Sequence, residues 1–154
     1  MYKRQTVVIA GNHDCNLNNP DRLDVLSPIM DMMDDDNLFY LKNSGLYKIG
    51  DVAFGVFSIL DDPENYISGL DINDSSIKTK IAVYHGAVKR SMTDIGYVVM
   101  GGDIELPMFN GYDIVMLGDI HKYQVLQEYQ TEHRFVPESK IDSYKLDGWD
   151  VCDD

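Results

Sequence analysis

Positive charge is scarce in this chain. Thirteen Lys and Arg stand against 26 Asp and Glu over 154 residues, a formal net charge of −13. That excludes a broad basic surface able to hold nucleic acid unaided. It leaves open a nucleic-acid substrate gripped through bound divalent ions or a partner subunit, since either supplies positive charge. Cysteine is scarcer still. Cys15 and Cys152 lie far apart and fit no zinc spacing, so both are expected to be reduced thiols of a cytoplasmic protein. Long apolar runs are missing: none approaches the roughly 18–20 residues needed to cross a bilayer, and no membrane partner is expected. The opening Met1-Tyr2-Lys3-Arg4-Gln5 leads straight into an apolar run and does not read as a secretory signal.

What the chain does have is three short apolar runs, each ending at a metal-binding type of residue. Thr6 to Ala10 runs into Gly11-Asn12-His13-Asp14. Ile81 to Tyr84 runs into His85-Gly86-Ala87. Asp113 to Leu117 runs into Gly118-Asp119-Ile120-His121. Runs rich in β-branched residues at this length read as buried strands. Ligands just past strand ends gather at one edge of a sheet, where α/β proteins commonly build their sites.

Between these units the pattern predicts short elements. Pro20-Asp21 opens a helix through about Leu26, which Pro28 interrupts. Ile29, Met30, Met32 and Met33 make a short apolar face, read as core filler. Asp34-Asp35-Asp36 reads as a solvated helix end or loop. A strand is expected at Leu38–Leu41, and a hairpin from Leu46–Ile49 and Val52–Ser58 around Gly50-Asp51. Residues 61–76 read as a long surface loop. Glycines at 86, 96, 101 and 102 keep regular structure short over 86–110. Another strand is expected at Gln124–Tyr129, and beyond Thr131 Trp149 and Val151 stand as isolated anchors. The order fits a mixed α/β layered domain better than an all-β sandwich.

The motif residues have definite chemistry. Asn12 offers a neutral carbonyl oxygen to a metal. A neighbouring His13 that is not a ligand can carry a proton to a leaving group, and Asp14 can hold that imidazole's tautomer. Alone, the same residues describe an Asx-type turn with an exposed histidine. His85 alone would more often be a core or edge histidine, and Asp119 alone a turn or N-cap residue. Asp119 and His121 point the same way on an extended backbone; in a tight loop they can instead reach two adjacent metals. His133 has no partner nearby in sequence and reads as surface. Together, amide oxygen, imidazole and carboxylate suit Mn, Fe or Zn rather than a thiolate site. Two close divalent ions can generate a hydroxide nucleophile and clamp phosphoryl oxygens.

These residues resemble the calcineurin-like metallophosphoesterases. Gly-Asn-His-Asp at 11–14 matches that family's third motif, His85-Gly86 looks like its fourth, and Gly118-Asp119-Ile120-His121 like its fifth, usually Gly-His-x-His. Asp at 119 departs from that pattern while remaining a competent ligand. His85-Gly86-Ala87-Val88 and the run from Gly111-Tyr112-Asp113 to His121-Lys122 are similar to the SbcD-like DNA-repair exonuclease branch. The resemblance covers roughly residues 6–128. It implies an α/β layered sandwich of mixed β-sheets flanked by helices. It implies Asn12, His85 and Asp119 on one metal and His121 on the other, with His13 as proton donor oriented by Asp14. It implies two divalent ions in the intact protein (Mn first, with Fe or Zn as alternatives), DNA or another phosphoester as substrate, an SbcC-like ATPase partner and a homodimer.

The family's Asp-x-His and Gly-Asp motifs, which precede these, have no counterpart in the five residues before the first strand. The strand and Gly-Ser turn that follow its fifth motif are not recognisable either. The expectation is a partial metallophosphoesterase domain over 6–130, incomplete at both ends, followed by a polar segment at 131–154. Residues 1–5 are read as a non-native leader, because Tyr2-Lys3-Arg4-Gln5 behind a GTG start is what one frame of a common sequencing transposon adapter encodes. The expected function is phosphodiester hydrolysis by a DNA exonuclease or endonuclease subunit in break repair. The alternatives are a phosphomonoesterase or nucleotide phosphatase of the same superfamily, and an inactive fragment with an incomplete metal site.

Overall fold

The structure, a computed structural model, describes residues 5–18, 24–33, 35–102, 104–121, 123, 124 and 126. Residues 1–4 of the expected leader, most of the strand expected at Gln124–Tyr129, and the segment 131–154 with His133, Trp149 and Cys152 lie outside the described residues.

The chain is mixed α/β. Its strands are β1 (Thr6–Val8), β2 (Leu38–Tyr40), β3 (Gly45–Ile49), β4 (Val52–Phe57), β5 (Thr79–His85) and β6 (Ile114–Gly118). The last four form one sheet in the order β3-β4-β5-β6; β1 and β2 pair separately. β3 and β4 are the antiparallel hairpin that Gly50-Asp51 announces, with Ile49 opposite Val52. β4, β5 and β6 run parallel, with Tyr84 opposite Leu117 and His85 opposite Gly118. β1 runs parallel to β2. Parallel strands deliver their following loops to a common edge, so the chain after His85 and after Gly118 emerges side by side.

Both faces of the sheet are covered at β5, as its continuous apolar run requires, while Ile114 and Met116 on β6 stay exposed. Residues alternate across it. Val56, Ile81 and Val83 form one face, and Val7, Ile9 and Phe39 from the β1–β2 layer pack on it. Phe57, Ala82 and Tyr84 form the other, against Ile72, Val88, Ile104, Phe109 and Tyr112. Phe57 sits with rings of Tyr66, Phe109 and Tyr112 around it at centroid distances of 4.9, 4.9 and 5.9 Å. Burial of each such ring is worth about 1.5–3 kcal/mol.

The second covering layer corrects two expectations. No flanking α-helix builds it among the described residues; the loops 58–78 and 86–112 do, with 3-10 turns at Pro63–Asn65, Gly69–Asp71 and Leu106–Phe109. The stretch 61–76 is therefore not simply a surface loop. Its Tyr66, Ile67 and Ile72 reach the core, and its Gly69 backbone lies against that of Gly111.

The helix also differs from expectation. Helix α1 covers Ser27–Met32 and Pro28 lies in its first turn, where the missing proline N–H costs nothing; Asp24–Leu26 are not helical. Nor are its methionines core filler, since α1 buries no residue and Met32 is 87% exposed. No helix among the described residues is long and apolar enough to cross a membrane.

Asp24 fixes the start of α1. It is buried and its carboxylate accepts from the amides of Leu26 and Ser27, the Ser27 hydroxyl, the Tyr40 hydroxyl and the Lys42 ammonium, the last at 2.7 Å. Burial pushes this carboxyl up, but the hydrogen bonds from Lys42, Ser27 and Tyr40 outweigh it and hold it well below the ordinary carboxylate range. A depressed folded-state pKa contributes stability that is present above the unfolded value, about 3.9, and is lost as pH falls below it. Asp24→Ala is expected to destabilise the protein by about 2–4 kcal/mol at neutral pH. It should also flatten the loss of stability below about pH 4. Urea melts at several pH values check this; equal slopes for both proteins would refute it.

Candidate metal centre

The site forms where the three apolar units end. Gly11 to Asp14 make a tight turn after β1, closed by Asp14 N donating to Gly11 O at 3.0 Å. His85 is the last residue of β5, and Asp119 follows β6. Asp119 has φ +69°, a left-handed conformation that Asp adopts more readily than most side chains. There the chain turns instead of continuing the strand.

Three of the predicted residues come together. His85 Nε2 lies 3.2 Å from Asn12 Oδ1 and 3.8 Å from Asp119 Oδ1. Asn12 Nδ2 donates to Asp119 Oδ1 at 3.1 Å. The three side chains thus meet, with the Asn12 amide oxygen toward His85 and its amide nitrogen toward Asp119.

Two glycines make that possible. A Cβ on Gly118 would stand 2.5 Å from His85 Nδ1, and one on Gly11 would stand 3.0 Å from His85 Cε1 and Nε2. The imidazole is wedged between two bare Cα atoms. Sequence reasoning registered these glycines only as parts of motifs. The signal was there, because a glycine directly before a metal-ligand type of residue recurs at 11 and 118.

The remaining predicted residues lie around this triad. His13 is exposed on the turn and makes no side-chain hydrogen bond among the described residues. Asp14 Oδ2 accepts from Gly11 N at 2.8 Å, so its carboxylate holds the turn; no hydrogen bond joins it to His13. His121 is exposed and lines a cavity together with Asp119, apart from the contacts of the triad. Cys15 donates to Gly11 O at 3.3 Å. Burial, then the charges of Asp14 and Asp24, push its thiol up, which disfavours the thiolate needed for a soft ligand or nucleophile. Among the described residues, no three His, Cys, Asp or Glu side chains gather as a metal-holding group; the triad has two of those types plus Asn12.

Comparison with known proteins adds one relative. An uncharacterized protein of Acanthamoeba polyphaga mimivirus is 42% identical over 133 residues, covering 81% of this chain and 10% of that protein. The chain thus spans about a tenth of the length of the relative it matches. No family model and no solved structure matches the chain.

Proposed function

We propose that this chain is part of a metal-dependent phosphodiester hydrolase of the calcineurin-like metallophosphoesterase type, and that its substrate is DNA. The observation that carries the reading is the convergence of Asn12, His85 and Asp119. Metal–ligand bonds of about 2.0–2.2 Å place neighbouring donors about 3–4 Å apart, and the donor separations of 3.2 and 3.8 Å fall in that range. The three donors suit Mn, Fe or Zn. At such a site a divalent ion supplies polarisation of phosphoryl oxygens and a more acidic water.

The chain's own contributions follow from placement. Asn12 and Asp119 would hold the cation in place of their mutual hydrogen bond. Asp14 positions Asn12 and His13 by fixing the turn. His13, exposed beside Asn12, can hold a proton for the departing oxygen. The second ion of the proposal would take His121 from this chain and its other ligands from elsewhere in the intact protein. An SbcC-like ATPase and a second copy are the proposed partners. The net charge of −13 favours reliance on a partner for DNA grip. The exposed Val25, Ile29, Met32 and Met33 on and beside α1 offer an apolar contact face.

Calorimetric titration of Mn2+ into the 154-residue protein is expected to show one weak site, lost in Asn12→Ala and in Asp119→Ala while the circular dichroism stays unchanged. Binding indifferent to both substitutions would refute the site. Hydrolysis by this chain alone is expected to be slight. Robust Mn2+-dependent turnover that disappears in His13→Ala would show that the chain already holds a working site. For an active, longer protein, duplex DNA ends and a nitrophenyl phosphate assayed side by side separate nuclease from phosphomonoesterase. Activity on the small ester alone removes the DNA reading.

A further inference from the structure

Asp119 and His121 line one side of a cavity of about 340 Å³. This is within the range of small-molecule sites, about 300–1,000 Å³. Ala87, Met92, Val99 and Ile120 give it apolar walls, and Ser91, Thr93 and Asp94 add polar groups. No Lys or Arg lines it among the described residues. Away from the ions proposed at Asp119 and His121, a phosphate would meet the Asp94 carboxylate. A flat, uncharged ring with N–H groups to offer suits apolar walls and an anionic acceptor.

The outer wall is preformed. Gln124 clamps Met92 with two hydrogen bonds, Oε1 accepting from Met92 N at 2.8 Å and Nε2 donating to Met92 O at 2.7 Å. Val99 N donates to Ser91 O at 2.8 Å, and Thr93 N to Tyr97 O at 2.8 Å. The resulting hairpin-like loop holds Tyr97 63% exposed and Ile95 88% exposed. Tyr97 does not line the cavity, but it is an exposed ring on the loop whose residues 91–94 and 99 do, and base stacking uses such a ring.

Resting on the hydrolase reading above, we infer that this cavity and the 91–99 loop form a subsite for one unpaired nucleobase of the substrate, with the attached phosphate toward Asn12, His85 and Asp119. A base inside a duplex cannot enter, so the substrate is single-stranded or frayed at the cleavage position.

Amide chemical shifts of the whole chain, titrated with deoxyadenosine monophosphate and with base-free deoxyribose 5-phosphate, test this. The nucleotide is expected to shift amides of residues 91–99, and the base-free compound to bind at least about ten-fold more weakly. Ala87→Phe, an exposed position on the cavity wall, is expected to abolish the base-dependent binding. Tyr97→Ala is expected to weaken it roughly ten-fold, while Tyr97→Phe keeps it. Equal affinity for both compounds, no shift at 91–99, or indifference to Ala87→Phe would overturn the subsite. Mn2+ binding that persists in those cases leaves the hydrolase reading standing. Nucleotide bound at 91–99 with no Mn2+ site supports the subsite and removes the metal chemistry.

Discussion

Gly111→Ala is expected to cost about 2–5 kcal/mol, which is a large part of a typical domain's stability. Two effects add at this position. Gly111 has φ +86°, a left-handed backbone costing about 1–2 kcal/mol for an L side chain. A Cβ there would also stand 2.3 Å from Leu70 N and 2.4 Å from Gly69 C. Those are backbone atoms, so no side-chain rotation relieves the clash, and overpacking of this kind costs about 1–3 kcal/mol. Gly69 faces the same crossing, with its own Cβ position 2.4 Å from Gly111 C, but without the left-handed backbone. Gly69→Ala should therefore show the crowding without the conformational strain. A thermal melt reads both; the Gly111 variant should melt lower by roughly 10 °C or more. A shift of only a degree or two would mean that the two loops do not cross as closely as described.

Gly118→Ala should do the opposite, sparing the fold while emptying the site of affinity. Its Cβ would meet His85 Nδ1 at 2.5 Å, and an imidazole at a strand end can rotate away. Rotation withdraws Nε2 from Asn12 Oδ1 and Asp119 Oδ1, so the relief is obtained at the expense of the ligand set. Mn2+ affinity is expected to fall by roughly 10–100-fold, the usual effect of disturbing a group that orients a ligand, with little change in melting temperature. Unchanged Mn2+ binding in a folded Gly118→Ala protein would show that His85 need not sit where it does.

Much of this arrangement was legible in the residues. The apolar runs before Gly11, His85 and Gly118 contain the strands β1, β5 and β6; burial on both sides accounts for β5, while β1 and β6 remain partly exposed. The hairpin at Gly50-Asp51 was legible as well. Pro28 misled because proline marks both the breaking and the opening of helices. The deciding fact, Asp24 accepting from the amides of Leu26 and Ser27, depends on Tyr40 and Lys42, which sequence spacing does not reveal. The loop 61–76 misled because its polar residues dominate the count, while only Tyr66, Ile67 and Ile72 decide where it lies. For the site, residue type pointed to Asn12, His85 and Asp119 together. The hydrogen bond from Gly11 N to Asp14 did not follow, since it runs to a backbone amide three residues back.

The triad also fixes when in folding the site can exist. The Asn12–Asp119 contact spans 107 residues and the Asn12–His85 contact 73. Contacts that distant close long loops and lie on the slow side of folding. A cation at the proposed site would not template this fold from the start, because residues 12, 85 and 119 lie far apart along the chain. During synthesis the Asn12 side chain must wait for His85 and then Asp119 before both of its partners exist.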